Sequence, residues 1–235
     1  MTRPAMQNAH APTPSAQSLF SPLIERAIEL SAEWHEGTYR KSRWRDEPFV
    51  SPLGEALHIP MMAHVTAVAM TVQRAGWEDE VVAAAFLHDV LEDRNRYREG
   101  MPRAQLTALM GEEVTALVAA VSEPKHDETG APLPWRVRKE TYVETLAAGP
   151  VGAAAISLAD KLHNVWTMCE SLTSDIDVFT SAPGRRALSA GPEAQLWFFR
   201  AVLAATERHD DPRLVPMRAR LREEVGRFER VTGAG

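Results

Sequence analysis

The residues best suited to chemistry fall in three short stretches. FLHDVLED sets His88 and Glu92 four residues apart, and Asp89 and Asp93 likewise. On a helix each such pair shares a face, and the two faces adjoin. SLADKLHNV repeats the spacing with Asp160 and Asn164, and MMAHVTAVA places His64 early in another helical pattern. Imidazole nitrogen and carboxylate oxygen together suit Mn²⁺, Fe²⁺ or Zn²⁺ better than Ca²⁺. Four such ligands around an octahedral ion would leave positions for water and substrate oxygens. Taken singly these residues say little: a lone His on an apolar helix is usually a hydrogen-bonded core residue, and Asp160 alone could be an ion-pair partner. The ensemble carries the signal, because each piece sits in an apolar helix and the order is H, then HDxxED, then DxLHN.

The elements that must position them are helices. Apolar residues recur at three- and four-residue intervals near 19–36, 60–75, 79–93, 103–121, 135–147, 151–170, 189–209 and 213–230. In the last segment Leu214, Met217, Leu221, Val225 and Phe228 form one stripe. Breaks fall at Gly37, Gly76, Gly100 to Pro102, Gly111, Gly149-Pro150 and Pro183-Gly184. No window alternates long enough to predict a half-buried strand, so the fold class expected is all-α. Segments 81–91 and 151–162 are apolar nearly all round and belong at the centre of a bundle. Both also carry acids or imidazoles in their C-terminal halves. Buried charge is costly unless paired or bound to metal, so these helices demand a compensating partner.

Composition narrows the function classes. A net charge of -6 argues against broad nucleic-acid binding, though a local Arg and Lys cluster would still hold a small phosphorylated ligand. The single cysteine, Cys169, excludes an internal disulfide and fits a reducing compartment. No apolar run reaches the roughly 18 to 20 residues needed to cross a bilayer. Residues 1–17 lack a signal-peptide core and, being rich in Ala, Pro and polar residues, are expected to be a disordered tail. A soluble, cytoplasmic protein is expected.

These stretches resemble an HD-domain helical bundle, that of the RelA/SpoT-type alarmone hydrolases and more closely the stand-alone small alarmone hydrolases. The similar pieces are HEGTYRKS (35–42), His64, AAAFLHDVLED (83–93), MGEEVTALVAAV (110–121), RKETYVETL (138–146) and SLADKLHNVWTM (157–168). GPEAQLWFFRAVL (191–203) adds to them. The resemblance implies a single hydrolase domain over 18–231, with an insertion near 43–63, C-terminal helices near 189–230 and no synthetase domain. It implies that His64, His88, Asp89 and Asp160 bind a metal, typically Mn²⁺. Glu92 and Asp93 then match the pair that positions and activates water. Arg40 and Lys41 match contacts to the base, Asn164 a residue near the ribose with Thr167 one turn beyond, and Arg138 and Lys139 a basic pair facing phosphates. The partner implied is a small phosphorylated nucleotide, with neither nucleic acid nor membrane.

The chain departs from that pattern in places. SRWRDEPFVSPLGEALHIPMMA is longer than the compact pattern, and Trp44, Pro48, Phe49 and Pro52 suggest either an ordered loop over the pocket or a surface insertion. His58 in this segment could be a further ligand or proton donor, but a loop histidine with no spaced partner is more often structural or exposed. Lys161 stands where Arg is common, keeping the charge and losing the fork. Arg94 stands where a small polar residue is usual. His163 is expected to pack behind the site or orient a ligand, His35 to cap or to act, and His126 to face solvent in a loop that could border the pocket. Trp197 and Cys169 read as core, Trp135 as packing at a helix start, and Trp166 as the first aromatic to test for base contact.

The leading expectation is hydrolysis of a 3′-pyrophosphate nucleotide such as ppGpp or ppApp. The alternatives are an HD phosphatase acting on a nucleoside monophosphate, a deoxynucleotide or NADPH, and a silent HD domain that binds a nucleotide and regulates a partner.

Overall fold

The structure is a computed structural model that describes residues 19–40, 49–50, 56–57, 59–181 and 186–234. The expected tail at 1–17 lies outside these residues, as do Lys41, Trp44, Pro48, Pro52, His58 and the side chain of Phe49. The helices are α1 (Pro22–Trp34), α2 (Met61–Arg74), α3 (Asp79–Leu87), α4 (Arg103–Met110), α5 (Glu112–Ala120), α6 (Trp135–Ala148), α7 (Val151–Leu172), α8 (Pro192–Thr206) and α9 (Leu214–Thr232). The all-α expectation is met. Among the described residues, β1 (Phe49–Val50) pairs antiparallel with β2 (Ala56–Leu57) within the segment 43–63.

Proline starts most of these helices. Pro60, Pro102, Pro134 and Pro150 occupy N-cap positions, while Pro22 and Pro192 lie inside the first turn, where a missing N–H removes no helical bond. The periodic run 103–121 divides at Gly111, whose φ of 87° only glycine adopts readily.

The expected helix at 79–93 is shorter than its apolar pattern. The helix ends at Leu87, and 88–93 fold into turns carried by Val90 N–H to Leu87 O at 3.0 Å, Glu92 N–H to Asp89 O at 3.1 Å and one isolated helix-type bond, Asp93 N–H to Asp89 O, at 2.8 Å. The pairs His88/Glu92 and Asp89/Asp93 therefore ride on a turn, not on regular helical faces. Val90 is fully buried there, so burial continues the pattern after the helix has stopped.

The core gathers on α3 and α7. Every residue from Val81 to Leu87 is buried, as is every residue from Gly152 to Lys161. α3 packs against α1, α2 and α5, and α7 against α2, α8 and α9. Gly152 marks the crossing of α7 with α3 and α5: a Cβ there would sit 2.9 Å from Leu117 Cδ2 and 3.0 Å from Val81 Cγ2. Cys169 is buried as expected, whereas Trp197 is only partly buried at the edge of the core, beneath the Arg136 guanidinium.

The segment between Arg40 and Ile59 is closed at its base. Arg40 N–H donates to Ile59 O at 2.9 Å and Met61 N–H to Thr38 O at 3.0 Å, around a bridge between Tyr39 and Pro60. This pairing delivers Arg40 to the N-terminus of α2, one turn from His64.

Candidate active site

Four side chains converge where α2, the end of α3 and α7 meet. His64 Nε2 lies 3.2 Å from Asp160 Oδ1 and 3.8 Å from Asp89 Oδ2. His88 Nε2 lies 3.2 Å from Asp89 Oδ2 and 3.8 Å from Asp160 Oδ1. The backbone sets the tautomer of His88. Its Nδ1 faces the Ala85 carbonyl at 2.8 Å, an acceptor only, so Nδ1 carries the proton and Nε2 turns to the carboxylates. His64 Nδ1 is 2.8 Å from His163 Nδ1, so its second nitrogen is hydrogen-bonded there, with either ring able to be the donor. His163 thus meets the expectation that it stands behind the site.

The arrangement fits a divalent cation. Buried His88 Nε2 has no well-directed hydrogen bond among the described residues, although carboxylate oxygen is close by. Donor atoms of His64, His88 and Asp160 all lie within 4.8 Å of one another, and Asp89 reaches both imidazoles. Ligands about 2.1 Å from a six-coordinate ion lie roughly 3 Å from their neighbours, close to the spacings seen here.

The electrostatics follow from burial and charge. Desolvation, helped by the Arg40 cation, pushes His64 down to about 3. Burial would lower His88 too, but the Asp89 and Asp160 carboxylates outweigh it and lift the ring to about 9. Burial opposes ionisation of Asp89 and Asp160, yet His88 beside the first and Lys161 beside the second hold both below the usual carboxylate range. Glu92 goes the other way. Burial, then repulsion from Asp89 and Glu123, raise it to about 7.

A polar inner cavity of about 160 Å³ lies against this cluster, with Lys139, Lys161, Glu123 and Tyr142 on its far side. A larger outer cavity of about 610 Å³ is lined by Tyr39, Met61, Asp93, Arg94, Lys125 and Met168, among others. Arg40, Asp89, Glu92 and Asn164 line both. Arg40 Nη2 donates to Asn164 Oδ1 at 2.7 Å, and Asn164 Nδ2 donates to Asp160 Oδ1 at 2.5 Å. Glu92 Oε1 accepts from the Glu123 backbone N–H at 3.0 Å, and the Lys125 ammonium contacts the Glu92 carbonyl.

Not every expected residue arrives. Thr167 is buried, bonds the Asn164 carbonyl of its own helix at 2.9 Å, and lines neither cavity. Arg138 and Lys139 both pair with Glu123 at 3.0 Å, but only Lys139 reaches the inner wall. Trp166 is partly exposed and outside both cavities, while Trp135 packs on Trp197 and Phe198. The His35 carbonyl accepts from Thr38 and closes the turn after α1. The loop holding exposed His126 does border the pocket, through Lys125. Sequence reasoning passed over Lys125, Tyr39 and Glu123; the only available signal was their nearness to assigned stretches.

The HD domain family model matches residues 48–180, more than half of the chain. The chain belongs to the HD domain family. It is 30% identical over 145 residues to the guanosine-3′,5′-bis(diphosphate) 3′-pyrophosphohydrolase of Haemophilus influenzae, covering 59% of this chain and 18% of that one. It is 32% identical over 108 residues to the Drosophila melanogaster guanosine-3′,5′-bis(diphosphate) 3′-pyrophosphohydrolase MESH1, covering 45% of this chain and 54% of that one. The match to the longer relatives thus spans under a fifth of their length. Among solved structures, Listeria monocytogenes lmo0812 superposes with a TM-score of 0.58 at 29% identity, over 72% of this chain and 97% of that one. No helix among the described residues is long and apolar enough to cross a membrane.

Proposed function

We propose that the chain hydrolyses the 3′-pyrophosphate of an alarmone nucleotide, (p)ppGpp or (p)ppApp, and releases pyrophosphate. In this reading 18–231 act as one hydrolase domain in the cytoplasm. The observation that carries it is the convergence of His64, His88, Asp89 and Asp160 beside a buried Glu92, at the junction of a polar cavity with a larger one. The names of the relatives support the choice of substrate.

His64, His88, Asp89 and Asp160 would hold the metal, for which Mn²⁺ is the first choice. Such a cation supplies charge for the developing phosphoryl oxygens and acidifies water. Glu92, raised to about 7, is a carboxyl whose proton affinity suits a general base near neutral pH. Glu123 N–H fixes one of its oxygens, and Lys125 stands 3.9 Å from the other and 3.7 Å from Asp93. Lys139 adds positive charge at the inner wall, where a phosphate would gain charge-assisted hydrogen bonds. Arg40 and Asn164, between the two cavities, are placed to hold the nucleoside side of the substrate.

The test is incubation of Mn²⁺-loaded protein with ppGpp, ppApp and NADPH, followed by chromatography. Pyrophosphate from either alarmone is expected, and the preferred one identifies the base. Inorganic phosphate from NADPH alone would make the chain an HD phosphatase, and no turnover would leave a regulatory nucleotide binder.

A further inference from the structure

The two oxygens of Asp160 have different company. Oδ1 faces the His64 and His88 Nε2 atoms at 3.2 and 3.8 Å and accepts from Asn164. Oδ2 is taken by the ammonium of Lys161, the next residue along α7. Lys161 is 8% exposed, and its Nζ lies 4.8 Å from the Tyr142 ring centroid and 5.2 Å from that of Phe198. Tyr142 is itself anchored, its hydroxyl donating to Ser157 Oγ at 2.7 Å. At the wall of the inner cavity the ammonium thus has aromatic faces on one side and a carboxylate on the other.

Burying a lysine is expensive, and an apolar side chain of similar size generally stabilises a core as well or better. A cation beside a metal site also repels the metal. Both costs argue that Lys161 does something a core residue would not. A carboxylate with two free oxygens can bind a cation through one or both.

We propose that Lys161 is a positioning residue that occupies Asp160 Oδ2 and so presents Oδ1 alone to the metal. The inference rests on the reading of His64, His88, Asp89 and Asp160 as a metal centre. It gives the Lys at this position a role in metal binding that its charge alone would reverse.

The sign of one measurement decides the matter. Mn²⁺ binding to the full chain is followed through the electron paramagnetic resonance signal of free Mn²⁺, for the wild type, Lys161→Met and Lys161→Arg. Thermal unfolding of the metal-free proteins is recorded alongside. Positioning predicts that Lys161→Met weakens Mn²⁺ binding by about 10–100-fold, as removal of an outer-shell partner typically does. Lys161→Arg, which keeps a cation on Oδ2, restores most of the affinity. A filler or purely electrostatic role predicts unchanged or tighter binding in Lys161→Met, whatever happens to Tm, and that result overturns the proposal. If Lys161→Met does not fold, neutral Lys161→Gln is read by the same criterion. Absence of Mn²⁺ binding in the wild type would remove the metal centre and this inference together, a failure distinct from equal binding by wild type and variant.

Discussion

The end of α3 and the middle of α7 meet the same demand by different means. Each is apolar nearly all round, and each delivers an aspartate to the cluster. α7 keeps its helix through the site, so Asp160 and Asn164 project from successive turns of an unbroken ladder that continues to Leu172. α3 stops at Leu87, and the site residues that follow it, His88, Asp89 and Glu92, sit on turns held by a few separate bonds. His88 is steered by Ala85 O, Glu92 by Glu123 N–H, and the Asp93 carbonyl by Trp34 Nε1 at 3.1 Å. A continuous helix fixes side chains by its own geometry. A turn depends on its neighbours, and in return it sets His88 and Asp89 against the same cluster with Glu92 beside them.

Substituting the two aspartates should expose this difference most strongly. Asp89→Ala and Asp160→Ala are both expected to lower hydrolysis by 10²–10³ or more, on the order of what removing a charge-stabilising group costs. Their stabilities should diverge. Asp160→Ala strands the buried Lys161 cation, and loss of one partner of a buried pair costs about 3–5 kcal/mol. Asp89→Ala takes away the carboxylate nearest buried His88, but an imidazole can respond by losing its proton, so the cost should be smaller. Equal urea midpoints for the two variants would break the contrast between ladder and turn.

Glu92→Gln comes next. It should reduce kcat by about 10²–10⁴, the usual worth of a general base, while Mn²⁺ affinity stays near wild type. A comparable fall in metal affinity would make Glu92 a ligand instead.

A smaller effect separates the two imidazoles. His88 is lifted to about 9, so in metal-free protein it is protonated at neutral pH and must lose that proton to bind a cation. His64, pushed to about 3, is already neutral. Mn²⁺ affinity should therefore rise about tenfold per pH unit as pH increases from 6 to 8, and level off near 9. A flat profile over that range would contradict this assignment of the proton.

The least effect is expected from Trp34→Phe, which removes the bond to the Asp93 carbonyl. It should cost about 0.5–1.5 kcal/mol and lower kcat modestly, without altering α7. Far-UV circular dichroism and a thermal melt would check it.

Much of this site is legible in the chain because charge inside apolar helices is conspicuous. His64, His88, Asp89 and Asp160 break runs of Val, Ala and Leu, and the proline and Gly111 signals place the helix ends well. The turn at 88–93 is not legible, since Val90 remains apolar for burial after helical bonding has ended. Thr167 fails for another reason: a helical threonine can satisfy its hydroxyl on its own backbone, which spacing does not reveal. Lys125 lies in a loop without periodicity, so only the folded chain brings it to Glu92.

The bridge between Tyr39 and Pro60 has a consequence for how this chain can vary. The chain on either side of the segment between Arg40 and Ile59 is hydrogen-bonded to itself, and these bonds hold Arg40 beside the start of α2. Lengthening a loop whose ends are already joined costs little, since closure entropy grows only with the logarithm of length. A change in the length of the segment between them is thus expected to leave Arg40 and the start of α2, one turn from His64, where they are.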